Sequence, residues 1–454
     1  MRIFRHHVEL RLVALGLIEA ALFLTSFYVG YFARYANADL IATELMAHGA
    51  PAFSYTAVMM ASLLSIGLYE RAAVGDMRTV AIRMLAAFAL GFVLLAVIVY
   101  LVRPLDIWRS ALLIAMPTSF VAVLLVRRIF LWLVDRDAFR RRILVLGDQE
   151  GIAALHALEA KLGLPPFRVA RALCLPLDVD RANDDEWLLG LCRAEEVDEV
   201  VVAARERRGR LPMRALLRCR LGGLRVSEYH DFCERETGRV DLDRLEPSWL
   251  VFNEGFGQGK LDATAKRAFD IALAATFLVL VAPVLALAAL AIKLEDGGPI
   301  FYRQTRMGRN GEPFEILKLR SMRVDAERHG PRWAAIQDAR ITRVGRLLRR
   351  TRVDELPQLV NILKGEMSFV GPRPERPVFV EQITESLPYF PERHRVRPGL
   401  AGWAQLNYPY GADLADARAK LEYDLYYVKN WSLFLDLLIL AQTLRVIVWG
   451  NGVR

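Results

Sequence analysis

Lys266-Arg-Ala-Phe-Asp-Ile-Ala-Leu-Ala-Ala-Thr-Phe-Leu-Val-Leu-Val-Ala-Pro-Val-Leu-Ala-Leu-Ala-Ala-Leu-Ala-Ile292 is the stretch on which the architecture of this chain turns. An apolar run of this length can cross a bilayer core as a helix, for which about 20 residues suffice. Pro283 sits near its middle, where a proline removes a helical hydrogen bond and kinks the chain. If the run crossed the bilayer, Arg303, Arg306, Arg309, Lys318 and Arg320 would lie outside, against the bias that keeps Lys and Arg in the cytoplasm. The expectation is a re-entrant helix hairpin over 268–292, broken at Pro283, that dips into one leaflet and leaves both ends cytoplasmic. A plain crossing with a tolerated proline is the competing reading.

Upstream, four more apolar stretches, Leu10–Phe32, Ala52–Tyr69, Met84–Val102 and Ala111–Val126, predict a four-helix transmembrane bundle over 1–135. Ala36-Asn-Ala38 resembles a signal-peptidase site, but the preceding run is longer than a signal core and three more follow. Arg2, Arg5 and Arg11 before the first span, and Arg127, Arg128, Arg136 and Arg140 to Arg142 after the fourth, place both ends in the cytoplasm. With 54% hydrophobic residues and a mean hydropathy of +0.24, the 454-residue chain is too apolar for a purely soluble protein. The net charge of +9, mostly arginine, then points to anionic lipid headgroups and phosphorylated substrates rather than nucleic acid. Cys174, Cys192, Cys219 and Cys233 show no Cys-x-x-Cys pairing, so neither a zinc site nor a disulfide framework is indicated.

From Arg142 the texture changes. Ile143–Gly147, Val200–Val202 and a stretch around Leu224–Val226 read as buried strands alternating with helical segments, which predicts a Rossmann-like α/β middle domain over 140–255. Its first turn, Gly147-Asp-Gln-Glu-Gly151, lacks the Gly-x-Gly-x-x-Gly spacing and puts carboxylates where a pyrophosphate would lie. A structural or regulatory module is favoured over a nucleotide site. The Gly-rich Glu254–Gly259 marks the boundary to a third domain, 262–454.

In that domain Asn310-Gly311 separates two strand-like runs, a hairpin signal. Lys318 and Arg320, two apart on a strand, are expected to share a face and meet an anionic substrate together. Arg343, Arg346, Arg349 and Arg350 recur at helical spacing, which suits a helix lying on headgroups or an ordinary solvated one. Then comes Thr351-Arg-Val-Asp-Glu-Leu-Pro-Gln-Leu-Val-Asn361, in which Asp354 and Glu355 precede a helix-opening Pro357. Carboxylates at the positive end of a helix stay ionised and sit where phosphate is also attracted. They suit Mg²⁺ ligation or attack on phosphorus; an acidic cap is the bland alternative. Arg373, set between Pro372 and Pro374, is a candidate phosphate clamp. Arg397-Pro-Gly-Leu-Ala-Gly-Trp-Ala-Gln405 offers Trp403 for stacking and Gln405 for hydrogen bonds to a base edge. The final run, Trp431–Trp449, is interrupted by Asp436 and Arg445 and suits a packed or interfacial helix better than a span.

Phe269 to the C-terminus resembles the bacterial sugar transferases that act as polyprenyl-phosphate hexose-1-phosphate transferases, the monotopic phosphoglycosyl transferases. The resemblance rests on ordered motifs: the Pro-broken hairpin, Tyr302-Arg-Gln-x-Arg-x-Gly308, Lys318-Leu-Arg-Ser-Met322, Thr351-Arg-x-Asp-Glu-Leu-Pro-Gln-Leu-x-Asn361, Met367-Ser-x-Val-Gly-Pro-Arg-Pro374 and Arg397-Pro-Gly-Leu-x-Gly-x-Ala-Gln405. The four spans and α/β middle resemble the large form of that family, the initiating enzymes of exopolysaccharide or O-antigen synthesis. The resemblance implies a bacterial inner-membrane, multi-pass protein with a re-entrant monotopic α/β catalytic domain on the cytoplasmic face. It implies transfer of a hexose 1-phosphate from a UDP-sugar to undecaprenyl phosphate, with UMP released through a covalent phosphosugar on Asp354. Glu355 would assist with Mg²⁺ or the proton, both carboxylates serving the metal, and Lys318, Arg320, Arg352, Arg373, Arg397 and Gln405 would contact substrate. A homodimer is among the expected assemblies.

Two other classes compete. A membrane-bound nucleotide-sugar dehydratase or epimerase needs an intact glycine fingerprint and a Tyr-x-x-x-Lys pair, yet no lysine here has a tyrosine four residues before it. A non-enzymatic assembly scaffold would account for the first half but not for the Asp-Glu and Pro-Arg-Pro constellation.

Overall fold

The computed structural model describes residues 2–3, 6–7, 10–33, 49–69, 77–102, 107, 109–135, 140–162, 165–176, 185–206, 211–245, 247, 249, 255, 259–326, 338–408 and 413–449. By packing it divides into Val8–Gly238 and a second unit of Met1–His7 with Arg239–Arg454. That boundary precedes the expected Gly-rich linker. Val240, Leu245 and Trp249 are buried in the core of the later unit, and the Val240 amide donates to the Glu422 carbonyl at 3.0 Å.

In the first unit the apolar stretches form helices Leu10–Phe32, Gly49–Ser65, Met77–Leu101 and Arg109–Asp135 around Phe23, Phe27, Tyr55, Met59 and Phe88. Three of them are long and apolar enough to cross a membrane; Gly49–Ser65, at 17 residues, is shorter and ends in a turn where the expected span ran on to Tyr69. The fourth helix continues well past Val126, where its expected span stopped. Arg127 interrupts the apolar run in sequence but not in space. Its guanidinium meets the buried Glu19 of the first helix at 2.7 Å and donates to the Leu68 carbonyl at 2.8 Å. A paired charge facing the bundle interior is tolerated where a lone one is not.

The rest of this unit is a four-stranded parallel sheet of Arg141–Gly147, Phe167–Cys174, Glu199–Ala203 and Arg225–Glu228. Numbered along the chain, the order is 2-1-3-4, not the 3-2-1-4 of the dinucleotide fold that the Rossmann-like expectation implies. The strand Phe167–Cys174 carries no period-two apolar signal, because Arg168 and Arg171 break it; as an edge strand it exposes Arg168, Arg171 and Cys174. The Gly147–Gly151 turn is consumed by structure. Asp148 Oδ1 caps helix Gln149–Lys161 by accepting from the Gly151 amide at 2.6 Å. A Cβ on Gly151 would lie 2.1 Å from the Ala203 carbonyl oxygen.

The second unit begins with a 37-residue helix, Lys260–Asp296. Pro283 lies inside it, so the expected break into two helices is not seen. A proline forfeits one backbone bond and the flanking turns carry the helix through. Both ends are nevertheless held by the same unit. Arg267 donates to the Ile362 and Leu363 carbonyls, Lys266 pairs with the buried Asp436, and Asp270 accepts from the Phe369 amide. At the other end Asp296 pairs with Arg320, and Glu295 accepts from the Arg343 and Val344 amides. Between these anchors Val279, Leu280 and Leu287 are exposed.

After the long helix, the antiparallel hairpin Phe301–Met307 and Pro313–Leu319 turns at Asn310-Gly311, both at positive φ. Ser368–Val370 pairs in parallel with Gly399–Ala401. These glycines let the strands close up: a Cβ on Gly399 would lie 2.1 Å from the Gly371 nitrogen. Helices Gln358–Lys364, Leu414–Asn430 and Leu433–Trp449 complete a core of Leu359, Ile362, Phe369, Leu425, Tyr426 and Leu435. Asp436, an interruption in the last apolar run, is fully buried and also accepts from Tyr427 and Trp431.

Candidate active site

Asp354 and Glu355 lie in a 3-10 turn, Val353–Glu355, one residue before Pro357 caps helix Gln358–Lys364. Arg352, just before the turn, has φ 59, a conformation costly for a residue with a side chain. In the turn that follows, Asp354 is buried and Glu355 half-buried. Asn361 docks the following helix on the hairpin, its Oδ1 accepting from the Leu317 amide at 3.0 Å and its Nδ2 donating to the Glu315 carbonyl at 2.7 Å. That docking sets Lys318 beside Glu355.

Glu355 is the hub. Its Oε1 accepts from Lys318 Nζ at 2.9 Å and from Arg373 Nη2 at 3.2 Å, while Arg352 lies 3.6 Å from Oε2. Burial opposes the charge of Glu355, but these three cations outweigh it and hold the carboxyl well below the usual carboxylate range. Asp354, 6% exposed, is shifted the other way. Burial first, then the Glu355 charge, push its carboxyl up to about 6, with Lys318, Arg349 and Arg352 pulling against them. Two adjacent carboxylates with separated affinities for protons have separable roles: Glu355 a fixed anion, Asp354 a basic and poorly solvated one.

Asp354 Oδ1 is buried with no hydrogen-bond partner among the described residues. An orphaned carboxylate oxygen among cations is open to a hard metal ion or to an electrophilic phosphorus. On Glu355 the hydrogen bonds from Lys318 and Arg373 fall on Oε1, and Oε2 faces Arg352 at 3.6 Å. Among the described residues no three His, Cys, Asp or Glu side chains form a metal cluster. Mg²⁺ commonly takes one or two carboxylates together with substrate phosphates, so Asp354 fits that chemistry.

Of the expected substrate contacts, Lys318, Arg352 and Arg373 converge on the pair. Arg320 does not: the strand ends at Leu319, alternation lapses, and Arg320 turns to Asp296 with Gly298 packed against its guanidinium. Arg397 donates from Nε to the Gly365 carbonyl at 2.8 Å, closing the C-terminus of helix Gln358–Lys364. Trp403 is buried and stacked on Tyr426 at 6.1 Å, unavailable as a platform for a base, whereas Gln405 keeps a buried Nε2 without a hydrogen-bond partner.

Other residues support the site without having been singled out for it. Tyr302, Gln304 and Arg306 alternate on one strand and form a brace, Gln304 Nε2 to Tyr302 Oη at 2.9 Å and Arg306 Nη2 to Gln304 Oε1 at 2.6 Å. Arg306 Nη1 then reaches the Pro374 carbonyl at 3.0 Å. Arg393, in a buried pair with Asp424 at 2.7 Å, holds the Arg373 carbonyl at 3.0 Å. The Pro372–Pro374 turn is thus gripped from both sides. Period two exposes the first brace in the sequence; nothing local announces Arg393. Arg349, on the helix for which a headgroup contact and an ordinary solvated face were both open, is one of the charges that favours ionised Asp354.

Residues 261–450 match the family described as bacterial sugar transferase. The chain is 43% identical over 241 residues to the UDP-N-acetylgalactosamine-undecaprenyl-phosphate N-acetylgalactosaminephosphotransferase of Aeromonas hydrophila, covering 53% of this chain and 56% of that relative. It is 46% identical over 182 residues to the UDP-glucose:undecaprenyl-phosphate glucose-1-phosphate transferase of Caulobacter vibrioides, 39% of this chain and 67% of the relative. The exopolysaccharide production protein PSS of Rhizobium leguminosarum bv. phaseoli is 42% identical over 192 residues, 40% of this chain and 94% of its own length.

Proposed function

This chain belongs to the bacterial sugar transferase family, and on that premise we propose that it transfers a sugar 1-phosphate from a UDP-sugar to undecaprenyl phosphate in two steps. In the first, the Asp354 carboxylate attacks the phosphorus that bears the sugar. The Oδ–P bond forms, the bond to the bridging oxygen breaks, and UMP leaves with that oxygen. In the second, a phosphate oxygen of the lipid attacks the same phosphorus and returns the carboxylate, leaving the sugar on a lipid diphosphate. Dividing the transfer lets a soluble donor and a lipid acceptor use one site in turn.

The observation that carries this reading is the buried, unpartnered oxygen of Asp354 beside Glu355 and a ring of cations. Lys318 and Arg373, oriented by Glu355, are placed to take up the charge that develops on phosphate oxygens. Asp354 would hold Mg²⁺, which when bound neutralises pyrophosphate oxygens. The long helix, tied at both ends to this unit, supports entry into and return from one leaflet, with the site on the cytoplasmic face of a bacterial inner membrane. Cysteines placed near Lys266 and Glu295 should then react only from the cytoplasmic side; labelling of either from outside would restore a crossing. The relatives act on different sugars by name, so the donor is found by measuring UMP release across a panel of UDP-sugars with undecaprenyl phosphate. No release with any donor would overturn the reaction.

A further inference from the structure

A cavity of about 470 Å³ opens at one edge of the parallel sheet, lined by Arg141, Arg220 and Arg225, by Asp198 and Glu199, and by Leu224. All four strands run the same way and Glu199 stands opposite both Ile143 and Arg225, so this is the edge where the strands begin. It is also the edge tethered to the fourth helix. The apolar span reaches Leu133, its helix ends at Asp135, and Arg141 opens the first strand. Six residues reach at most about 20 Å. The cavity is therefore held near the headgroup layer in which that helix emerges.

The carboxylates of the cavity are already satisfied. Glu199 accepts from Arg141 at 2.9 Å, from Arg235 at 2.8 Å and from the Ser227 hydroxyl at 2.5 Å; Asp198 accepts from the Arg142 amide at 2.7 Å. Arg220 and Arg225 are exposed and, among the described residues, enter no ion pair. Helix Met213–Leu221 runs against the strands and delivers Arg220 to the cavity. It carries no acidic residue, and Met213, Leu217 and Leu221 are exposed at four-residue spacing, 67%, 57% and 73%. Arginines beside an exposed apolar stripe are the composition of a surface that rests on an anionic leaflet.

We propose that this edge binds the phosphate headgroup of an anionic phospholipid, with Arg220 and Arg225 on the phosphate and Leu217 and Leu221 against the acyl boundary. The α/β domain is then a lipid-reading platform independent of the transfer site. The inference rests on the membrane placement of the first four helices. In the test, the full chain carrying Cys174→Ser and Leu221→Cys is labelled with bimane and placed in nanodiscs of phosphatidylglycerol or phosphatidylcholine bearing a headgroup nitroxide. Native Cys174, at the opposite end of the sheet, reports the far edge. A label at Val121→Cys with an acyl-chain nitroxide reports the helix placement alone.

Quenching at position 221 should exceed that at 174 several-fold in phosphatidylglycerol, be weaker in phosphatidylcholine, and fall at least about 25-fold in Arg220→Glu/Arg225→Glu, since each surface arginine contributes about fivefold. Equal quenching at 221 and 174, with 121 quenched, overturns the platform while sparing the membrane reading. No quenching at 121 overturns both. Quenching untouched by the arginine changes overturns headgroup recognition, and loss of the arginine-dependent part on adding inorganic phosphate assigns the cavity to a soluble anion instead.

Discussion

Replacing Asp354 with Asn is expected to abolish transfer and to stabilise the protein. The folded environment pushes this carboxyl from its ordinary 3.8 up to about 6, burial first and the Glu355 charge second. A rise of about two units corresponds to about 3 kcal/mol against the ionised form, to order of magnitude. The sign follows from which state holds the proton. Below the unfolded value the carboxyl is neutral in both states and nothing is lost; as pH rises through the window to about 6 the folded state must give up a proton it holds more tightly, and above it the whole penalty applies. Asparagine never ionises and escapes it. The gain is trimmed because an amide leaves the same buried atom unpartnered. Near neutral pH the variant should therefore unfold several degrees higher than the parent, at about 2–4 °C per kcal/mol for a unit of this size. The advantage should vanish at about pH 4. Thermal unfolding of both proteins in one detergent across that range measures it. An Asn variant that is equally or less stable near neutrality would show that Asp354 is not a desolvated carboxylate. Turnover should also fall as the parent is acidified through about pH 6, where the proposed nucleophile takes up its proton.

Lys318→Met leaves Glu355 buried without its closest cation. Turnover should drop about 10²- to 10³-fold, the usual loss on removing one group that meets developing charge, and UMP release near the parent's rate by the folded variant would reveal a smaller role. Arg320→Ala should lower the unfolding temperature, because Asp296 loses its partner, while the specific activity of the folded protein stays near that of the parent. A large fall in activity at unchanged stability would return Arg320 to the substrate. A chain beginning at Gly259 keeps Lys318, Asp354, Glu355 and Arg373 and is comparable in length to the Rhizobium relative's 192-residue aligned part. It should still release UMP, and a folded, monodisperse, inactive protein would mean that the first half completes the site.

How much of this was legible depended on whether neighbours in sequence were also neighbours in environment. Asp354, Glu355 and Pro357 form one turn, and Asn310-Gly311 is a local hairpin device, so spacing sufficed. Arg373 between two prolines was readable as rigid, but the grip on its turn by Arg306 and Arg393 crosses 68 and 20 residues of chain and left no local pattern. Charge misled wherever a distant partner cancelled it. Arg127 ended a span too early because Glu19, its counter-ion, lies on another helix, and Asp436 left a packed and an interfacial helix both open because Lys266, which settles it as packed, is far away in the chain. Arg320 leaves the face that Lys318 keeps because alternation holds only while the strand lasts. Trp403 failed because an aromatic in a Gly-rich motif is as useful to a core as to a ligand, and here Tyr426 takes it.

The covalent role of Asp354 is tested most directly by incubating the purified protein with its UDP-sugar donor alone, without lipid acceptor, and reading the intact mass and the peptide that contains Asp354. One sugar phosphate per chain on that peptide, formed with stoichiometric UMP and discharged when undecaprenyl phosphate is added, is the predicted result. An unmodified Asp354, under conditions where donor and acceptor together turn over, would mean that the lipid phosphate attacks the donor directly.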